Sequence, residues 1–252
     1  MWGSAALYSG GTILACGLAL TIRPLARLRV RSRRRAVAIA CAGALLAAAA
    51  LGAPAFDANP PAISSALDEF APAWQFHEVH TRNVRAPAAR VFDAIKQVSP
   101  DEILFFRTLT WIRRGGRPLP PGVLNAAGDE SIITVAAKGG FVILAERPPN
   151  ELVVGAIVSA PSGPRARLTS ERFRQPFPPG YTVATMNFLV TAEAPDASIV
   201  STESRVYANS PEARRRFAAY WRLIYPGSTL IRRMWLRAID RRATLLASGG
   251  GA

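Results

Sequence analysis

Few side chains in this sequence are of types that carry chemistry, and they are dispersed along the chain. His77 and His80 are its only histidines, and both fall in one predicted strand. Residues at positions i and i+3 of a strand point to opposite faces of a sheet, so these two form a poor metal-binding pair. The acids Glu171, Glu193 and Glu203 are not clustered. We therefore predict no metal site, no cofactor and no catalytic residue.

Two polar residues of the last predicted strand have two possible roles. Glu203 and Arg205 occupy alternate positions of one predicted strand and therefore share a face. Cross-strand ion pairing is the default interpretation of this pair, and a polar anchor for a ligand headgroup is the alternative. Cys16 and Cys41 both lie in apolar segments, so the rest of the chain has no disulfide and no thiolate nucleophile.

The net charge of +14 is distributed unevenly. Half of it comes from seven arginines in a segment without acidic residues, namely Arg23, Arg27, Arg29, Arg31, Arg33, Arg34 and Arg35. On either side lie apolar stretches at about residues 5–22 and 36–53, each nearly long enough to cross a hydrocarbon layer of ~30 Å. Because so much of the basic excess lies in one short loop, we expect no nucleic-acid partner.

These features predict that residues 1–55 form a two-helix transmembrane hairpin. The positive-inside rule places the arginine-rich loop 23–35 in the cytoplasm and everything after the second helix outside. The expected location is a bacterial inner membrane, with the soluble part on the periplasmic or extracellular side. A cleaved signal peptide, ending near Ala53-Pro54-Ala55, is the alternative interpretation of the second segment. Both interpretations export the remainder of the chain.

The exported part alternates between predicted helices and strands. Residues 56–73 are interpreted as a linker, and residues 248–252 as a disordered tail. Two short helices are expected, one opened by Pro87 and one by the capping box of Ser99 and Glu102. Strands are predicted on both sides of these helices: Gln75–Val84, Ser131–Ala137, Phe141–Arg147, Glu151–Ala160, Val183–Glu193 and Ser198–Ala208.

A long helix begins at Pro211, after the capping residue Ser210. One side of it carries a stripe of aromatic and aliphatic residues, and arginines occupy the opposite side. Pro226-Gly227 is expected to kink this helix. Residues 161–180 contain five prolines together with Phe173 and Phe177, and Tyr181 follows directly. We interpret this stretch either as a lid at a cavity mouth or as an exposed loop.

Three stretches resemble the START-like (SRPBCC, polyketide-cyclase/lipid-transport) superfamily over about residues 74–245. They are FHEVHTRNVRAPAARVFDAI at 76–95, GFVILAERPPNELVVGAIV at 140–158 and STESRVYANSPEARRRFAAYW at 201–221. The resemblance implies an α+β helix-grip fold over residues 74–247, in which a curved antiparallel sheet wraps the long C-terminal helix. It also implies a cavity between sheet and helix that accepts lipids or other apolar molecules.

On this interpretation the chain is a membrane-anchored, non-catalytic binding protein for an apolar or amphipathic small molecule, acting as a carrier, sensor or accessory subunit. The cavity is expected to involve the stripe of the helix and the more apolar face of the last hairpin: Met186, Phe188, Val190, Phe217, Tyr220, Ile224, Ile231 and Trp235. A structural partner of another membrane protein is one alternative function. A cyclase- or hydrolase-type enzyme is the other, because one fold serves many functions.

Overall fold

The computed structural model describes residues 2–22, 30, 32–60, 64–118, 122–126, 129–163 and 168–248. Most of the predicted arginine-rich loop and the tail after residue 248 lie outside these ranges. The described residues divide into two compact units. The first comprises residues 1–55 and 215–226, and the second comprises residues 56–214 and 227–252.

The first unit is built on helices α1 (Trp2–Ile22) and α2 (Arg33–Gly52). They pack closely because glycines leave no side chain between them: a Cβ added at Gly10 would lie 2.6 Å from Ala47 N. By length and composition both helices are able to cross a membrane. Only 17% of the most apolar stretch of α1 and 22% of that of α2 is buried, which is low for the core helix of a soluble protein.

The second unit is a mixed α+β structure with an open antiparallel sheet. Its strands are ordered β1-β5-β4-β3-β2. The strands are β1 (Phe76–Val84), β2 (Val142–Arg147), β3 (Glu151–Ser159), β4 (Thr182–Ala194) and β5 (Ala197–Ala208). The helices are α3 (Ala66–Phe70), α4 (Ala88–Gln97), α5 (Phe106–Arg113), α6 (Ile132–Lys138) and α7 (Ser170–Phe173), together with 3-10 turns at Pro100–Glu102 and Val123–Asn125. Helix α8 (Pro211–Ser248) ends the described chain, and its residues 227–248 belong to this unit.

Two faces of the sheet follow from the strand register. The face that packs on the C-terminal half of α8 is called the inner face here, and the opposite one the outer face. Phe188 pairs with Leu152 of β3 and with Thr202 of β5, and its side chain is buried on the inner face among Trp235 and Ile239. A second, smaller apolar cluster lies on the outer face around Leu67, Phe70, Val153 and Phe173.

The α+β class, the antiparallel sheet and the long C-terminal helix are confirmed, but two details of the prediction are wrong. Residues 132–138 form helix α6 and not a strand, because Ser131 caps its N-terminus by accepting from Thr134 N. The sheet therefore has five strands among the described residues. The capping box of Ser99 and Glu102 opens only the 3-10 turn Pro100–Glu102, and helix α5 begins later, at Phe106. Pro226 lies within α8, and the kink expected there stays a prediction.

The segment interpreted as a linker contains ordered structure. Ala58 and Trp74 form an isolated antiparallel bridge. Between them lies α3, whose Leu67 is fully buried and whose Phe70 belongs to the outer apolar cluster. This short helix covers part of the outer face, and that cover determines where the candidate site forms.

Candidate small-molecule site

The outer face of the sheet contains a cavity of about 440 Å³. Its walls come from the end of α3, from α7 and the loop that follows, and from the outer-facing residues of β4 and β5. The lining residues are Glu69, Phe70, Ala71, Pro72, Ala73, Phe173, Arg174, Gln175, Pro176, Phe177, Tyr181, Val183, Thr185, Arg205, Tyr207 and Asn209. Five of these are aromatic, so the site is suited to an apolar or planar molecule.

Part of the wall is a run of aromatic rings in the proline-rich segment. The Phe173 and Phe177 ring centroids lie 5.6 Å apart at 77°, and those of Phe177 and Tyr181 lie 5.5 Å apart. Asn209 fixes this run: its Nδ2 donates to the carbonyl of Phe177 at 2.8 Å, and its Oδ1 accepts from Tyr181 N at 2.9 Å. These three aromatic residues thus line the cavity, and the choice between a lid and an exposed loop stays a prediction.

Arg205 is the buried cation that lines this cavity. Its side chain is 6% exposed, and its Nη1 donates to Asp68 Oδ1 at 2.6 Å and to the Ala71 carbonyl at 3.0 Å. Its Nε donates to Glu203 at 2.5 Å. The guanidinium carbon also lies 4.1 Å from the Trp74 ring centroid, a cation–π arrangement. Two carboxylates and an aromatic face therefore hold one charged side chain in place.

Asp68 is ionised deep inside this network. Burial alone would raise the pKa of its carboxyl group. Hydrogen bonds from the Ser64 backbone, from Arg205 and from the Ser65 backbone outweigh burial, and they lower the pKa from 3.8 to about 2. The bonds from Ser64 N and Ser65 N are 2.8 and 2.9 Å long. The carboxylate is thus both the capping group of α3 and the partner of Arg205.

Glu203 joins the network to β1. Burial raises its pKa, but hydrogen bonds from His77 and Arg205 dominate and lower the pKa of Glu203 below its usual value. His77 Nε2 lies 2.8 Å from Glu203 Oε1, and the His77 ring stacks on Trp74 with centroids 5.2 Å apart. Both predicted polar-anchor residues therefore belong to one cluster, in which Arg205 lines the cavity and Glu203 supports it.

A second buried carboxylate attaches α3 to the sheet. Glu151 Oε2 accepts from Ala66 N at 2.7 Å, and its Oε1 accepts from Asn187 Nδ2 at 2.7 Å. Asn187 and Glu203 are cross-strand partners on the outer face, and Asn187 Oδ1 accepts from Glu203 N. The outer face under α3 is thus a continuous row of hydrogen-bonded polar side chains.

The inner face buries the residues that were expected to line the cavity. Met186, Phe188, Val190 and Trp235 belong to the main apolar core, and Ile231 packs against it. Phe188 and Trp235 make an edge contact at 4.8 Å between centroids, and Phe188 has no exposed surface. Ligand access between these residues stays a prediction. The other three predicted cavity residues, Phe217, Tyr220 and Ile224, belong to the first unit.

The inner face has its own polar cluster at one end. Glu78 accepts from Ser228 Oγ at 2.9 Å, and its other oxygen lies 2.7 Å from His80 Nε2. Arg232 is directed at Met186 Sδ and lies near Glu78. Burial lowers the pKa of Arg232 to about 10, although the Glu78 charge opposes the change. His77 and His80 lie on opposite faces, as their spacing predicts, and no His/Cys/Asp/Glu group suited to a metal ion occurs among the described residues.

Comparisons with known proteins find similarity at the level of structure alone. No protein-family model matches the chain, and no curated protein matches it. A conserved protein from Geobacillus kaustophilus is 12% identical with a TM-score of 0.34, covering 67% of this chain and 95% of that one. The norcoclaurine synthase from Thalictrum flavum is 13% identical with a TM-score of 0.27, covering 70% and 88%. The Zhui aromatase/cyclase from Streptomyces sp. R1128 is 16% identical with a TM-score of 0.25, covering 70% and 99%. Similarity at this level assigns neither a family nor an activity.

Proposed function

We propose that this chain is a membrane-anchored protein whose α+β unit has the START-like helix-grip fold and binds an apolar or amphipathic small molecule in the outer-face cavity. The observation that carries the proposal is the aromatic-lined space of about 440 Å³ with a buried arginine in its wall. Placing an apolar molecule there removes surface from water, which contributes about 25 cal/mol per Å². The function follows from burial and needs no covalent step.

Arg205 is the polar anchor of this site. Its charge is already matched by Asp68 and Glu203, so the site favours a ligand with an uncharged acceptor, such as a carbonyl or hydroxyl oxygen, over an anion. Within the described part of the chain, Nη2 of Arg205 makes no hydrogen bond of its own, and this is the group we assign to the ligand. Neither His77 nor Glu203 lines the cavity, so we propose binding without catalysis.

The anchoring half of the proposal rests on α1 and α2. Their length, apolarity and low burial support insertion, and the arginines between them support a cytoplasmic loop. The second unit would then lie on the periplasmic or extracellular side of a bacterial inner membrane. A lipid component is one source of an amphipathic ligand in that setting.

Two measurements test the binding site in the full chain reconstituted in nanodiscs. Native mass spectrometry should detect a small molecule retained on the protein. A phenyl-diazirine photoprobe bearing one carbonyl should label the peptides that contain Phe177 and Tyr207. Val183→Trp fills the cavity from β4 and should remove this labelling. Val158→Trp makes the same change at an exposed position of β3 outside the lining, and it should leave the labelling intact. Equal labelling in both variants would contradict the proposed site.

A further inference from the structure

The middle of the long helix is bonded to the end of the helical hairpin within the first unit. Arg222 donates to the Leu51 carbonyl at 3.0 Å and to the Ala53 carbonyl at 2.5 Å. These carbonyls lie at the C-terminal end of α2, where no further turn of helix is available to accept from them. A guanidinium group satisfies them and complements the negative end of the helix dipole. Arg222 is therefore the C-terminal cap of a predicted transmembrane helix.

The same stretch of α8 also contacts the beginning of α1. Tyr8 Oη donates to the Leu223 carbonyl at 2.7 Å. A Cβ at Gly3 would lie 2.8 Å from Arg222 Nε, so glycine leaves the space that the arginine occupies. The start of α1 and the end of α2 are the same end of an antiparallel helix pair. Residues 215–226 thus lie across that end and make hydrogen bonds to both helices.

This position defines a depth if the hairpin crosses a bilayer. Helix α1 has 21 residues and is about 31 Å long at 1.5 Å per residue, close to the ~30 Å hydrocarbon thickness. Gly3, Leu51 and Ala53 then lie at the outer boundary of the hydrocarbon layer. A helical segment bonded to them is at the level of the lipid headgroups, where tryptophan and tyrosine are enriched.

The composition of the segment matches that depth. The segment contains four aromatic residues, Phe217, Tyr220, Trp221 and Tyr225. The ring centroids of Phe217 and Trp221 lie 5.9 Å apart, and those of Trp221 and Tyr225 lie 5.6 Å apart. Leu223 is 58% exposed, and Arg215 at the start of the segment is also exposed. On the hairpin, Leu45 of α2 is an exposed apolar residue as well.

We propose that residues 215–226 are an interfacial segment that binds the headgroup layer of the membrane in which the hairpin is inserted. The occupant of this surface is the lipid bilayer. The partly exposed rings of Tyr220, Trp221 and Tyr225 enter the interface with Leu223, and exposed arginine meets lipid phosphate. The inference rests on the membrane insertion in the proposed function and is independent of the ligand cavity. It makes α8 a third point of attachment, fixed to the hairpin by Arg222.

Spin labels at single cysteines test the depth directly. The background is the full chain with Cys16→Ala and Cys41→Ala, reconstituted in vesicles of phosphatidylethanolamine and phosphatidylglycerol. Leu45→Cys reports the lipid-facing hairpin, Val79→Cys reports an exposed position of β1, and Leu223→Cys reports the interfacial segment. We expect the Leu223→Cys label to collide less often with a water-soluble nickel complex than the Val79→Cys label does. Its collision rate with oxygen should lie between the rates of the Val79→Cys and Leu45→Cys labels.

The three labels separate the possible failures. A Leu45→Cys label in lipid together with a Leu223→Cys label as water-accessible as Val79→Cys would overturn the interfacial segment and leave the anchor standing. A water-accessible Leu45→Cys label would overturn the anchor and the segment together. In a second arm, Arg222→Gln should raise both the mobility and the nickel accessibility of the Leu223→Cys label. Arg233→Gln, a matched change at an exposed position of α8 outside this segment, should not, and equal effects would also overturn the inference.

Discussion

On the inner face of the sheet Phe188 and Val190 pack against Trp235, whereas on the outer face Arg205, Glu203 and Asn187 form a hydrogen-bonded row beneath α3. Asn187 and Phe188 are both buried, and they are adjacent residues of β4 whose side chains point to opposite faces of the sheet. The apolar inner face leaves little empty space, because the surfaces of sheet and helix match in shape and pack against each other. The polar row is held by directional bonds, and the cavity lies on its side of the sheet.

This difference changes where a binding site is expected. A more apolar set of strand residues indicates the interior, but the interior of a well-packed unit has little space for a ligand. Directional bonds hold Arg205 and the end of α3 at set positions, so the neighbouring aromatic side chains can remain apart. In this protein the apolar face gives stability, and the polar face positions the cavity.

The largest expected effect on stability is on the inner face. Phe188→Ala removes a fully buried ring and should lower the free energy of unfolding by about 3–5 kcal/mol. Val183→Ala on the outer face removes a smaller, partly exposed side chain beside the cavity and should cost much less. Urea titrations of the full chain in detergent, followed by near-UV circular dichroism, measure both. Equal losses would contradict the contrast between a filled inner face and an open outer one.

The next effect concerns two adjacent acids of α3. Asp68→Ala leaves Arg205 without one of its buried partners and should cost about 3 kcal/mol. Glu69→Ala breaks an exposed pair with Arg147, and it should cost much less because solvent screens the pair. The same urea titration compares them. Similar losses in the free energy of unfolding for both variants would show that the buried outer network stabilises the fold no more than a surface ion pair does.

The pH dependence of stability should sharpen the same point. The pKa of Asp68 is lower in the fold than in the unfolded chain, so its ionised form stabilises the fold above pH 3.8, and this contribution disappears as the pH falls toward 2. The size expected from the change in pKa is about 2 kcal/mol. The stability difference between wild type and Asp68→Ala should therefore shrink between pH 4 and pH 2. A constant difference across that window would be contrary to the assigned ionisation.

Local signals in the sequence predicted much of the fold. The Ser99 and Glu102 capping box and the Ser210 cap before Pro211 are both present, because such signals act within one turn of helix. Residues 132–138 were misinterpreted because their β-branched side chains are typical of strands, and the cap at Ser131 was the signal that went unused. Where short-range signals conflict, packing against the core decides the outcome.

The candidate site was less accessible to sequence reasoning. The sequence suggested ion pairing or a polar anchor for Arg205, but its partner Asp68 is 137 residues away in a segment interpreted as a linker. Tyr207 was missed because it lies on the outer face, whereas the more apolar residues of the hairpin, which were expected to line the cavity, lie on the inner face. Phe173, Phe177 and Tyr181 were recognised as a group, since they share one proline-rich stretch. No local pattern indicates that this stretch and α3 meet over the same strands.

The most direct test of the central claim compares two tryptophan substitutions on opposite faces of β4. Val183 lines the outer cavity, and Val190 is buried in the inner core. With the photoprobe and the chain in nanodiscs, Val183→Trp should abolish labelling at Phe177 and Tyr207 while the melting temperature changes little. Val190→Trp should overpack the core at a cost of about 1–3 kcal/mol and leave the labelling in place. Loss of labelling in a folded Val190→Trp protein, with labelling retained in Val183→Trp, would contradict the account and place the ligand between the sheet and the helix.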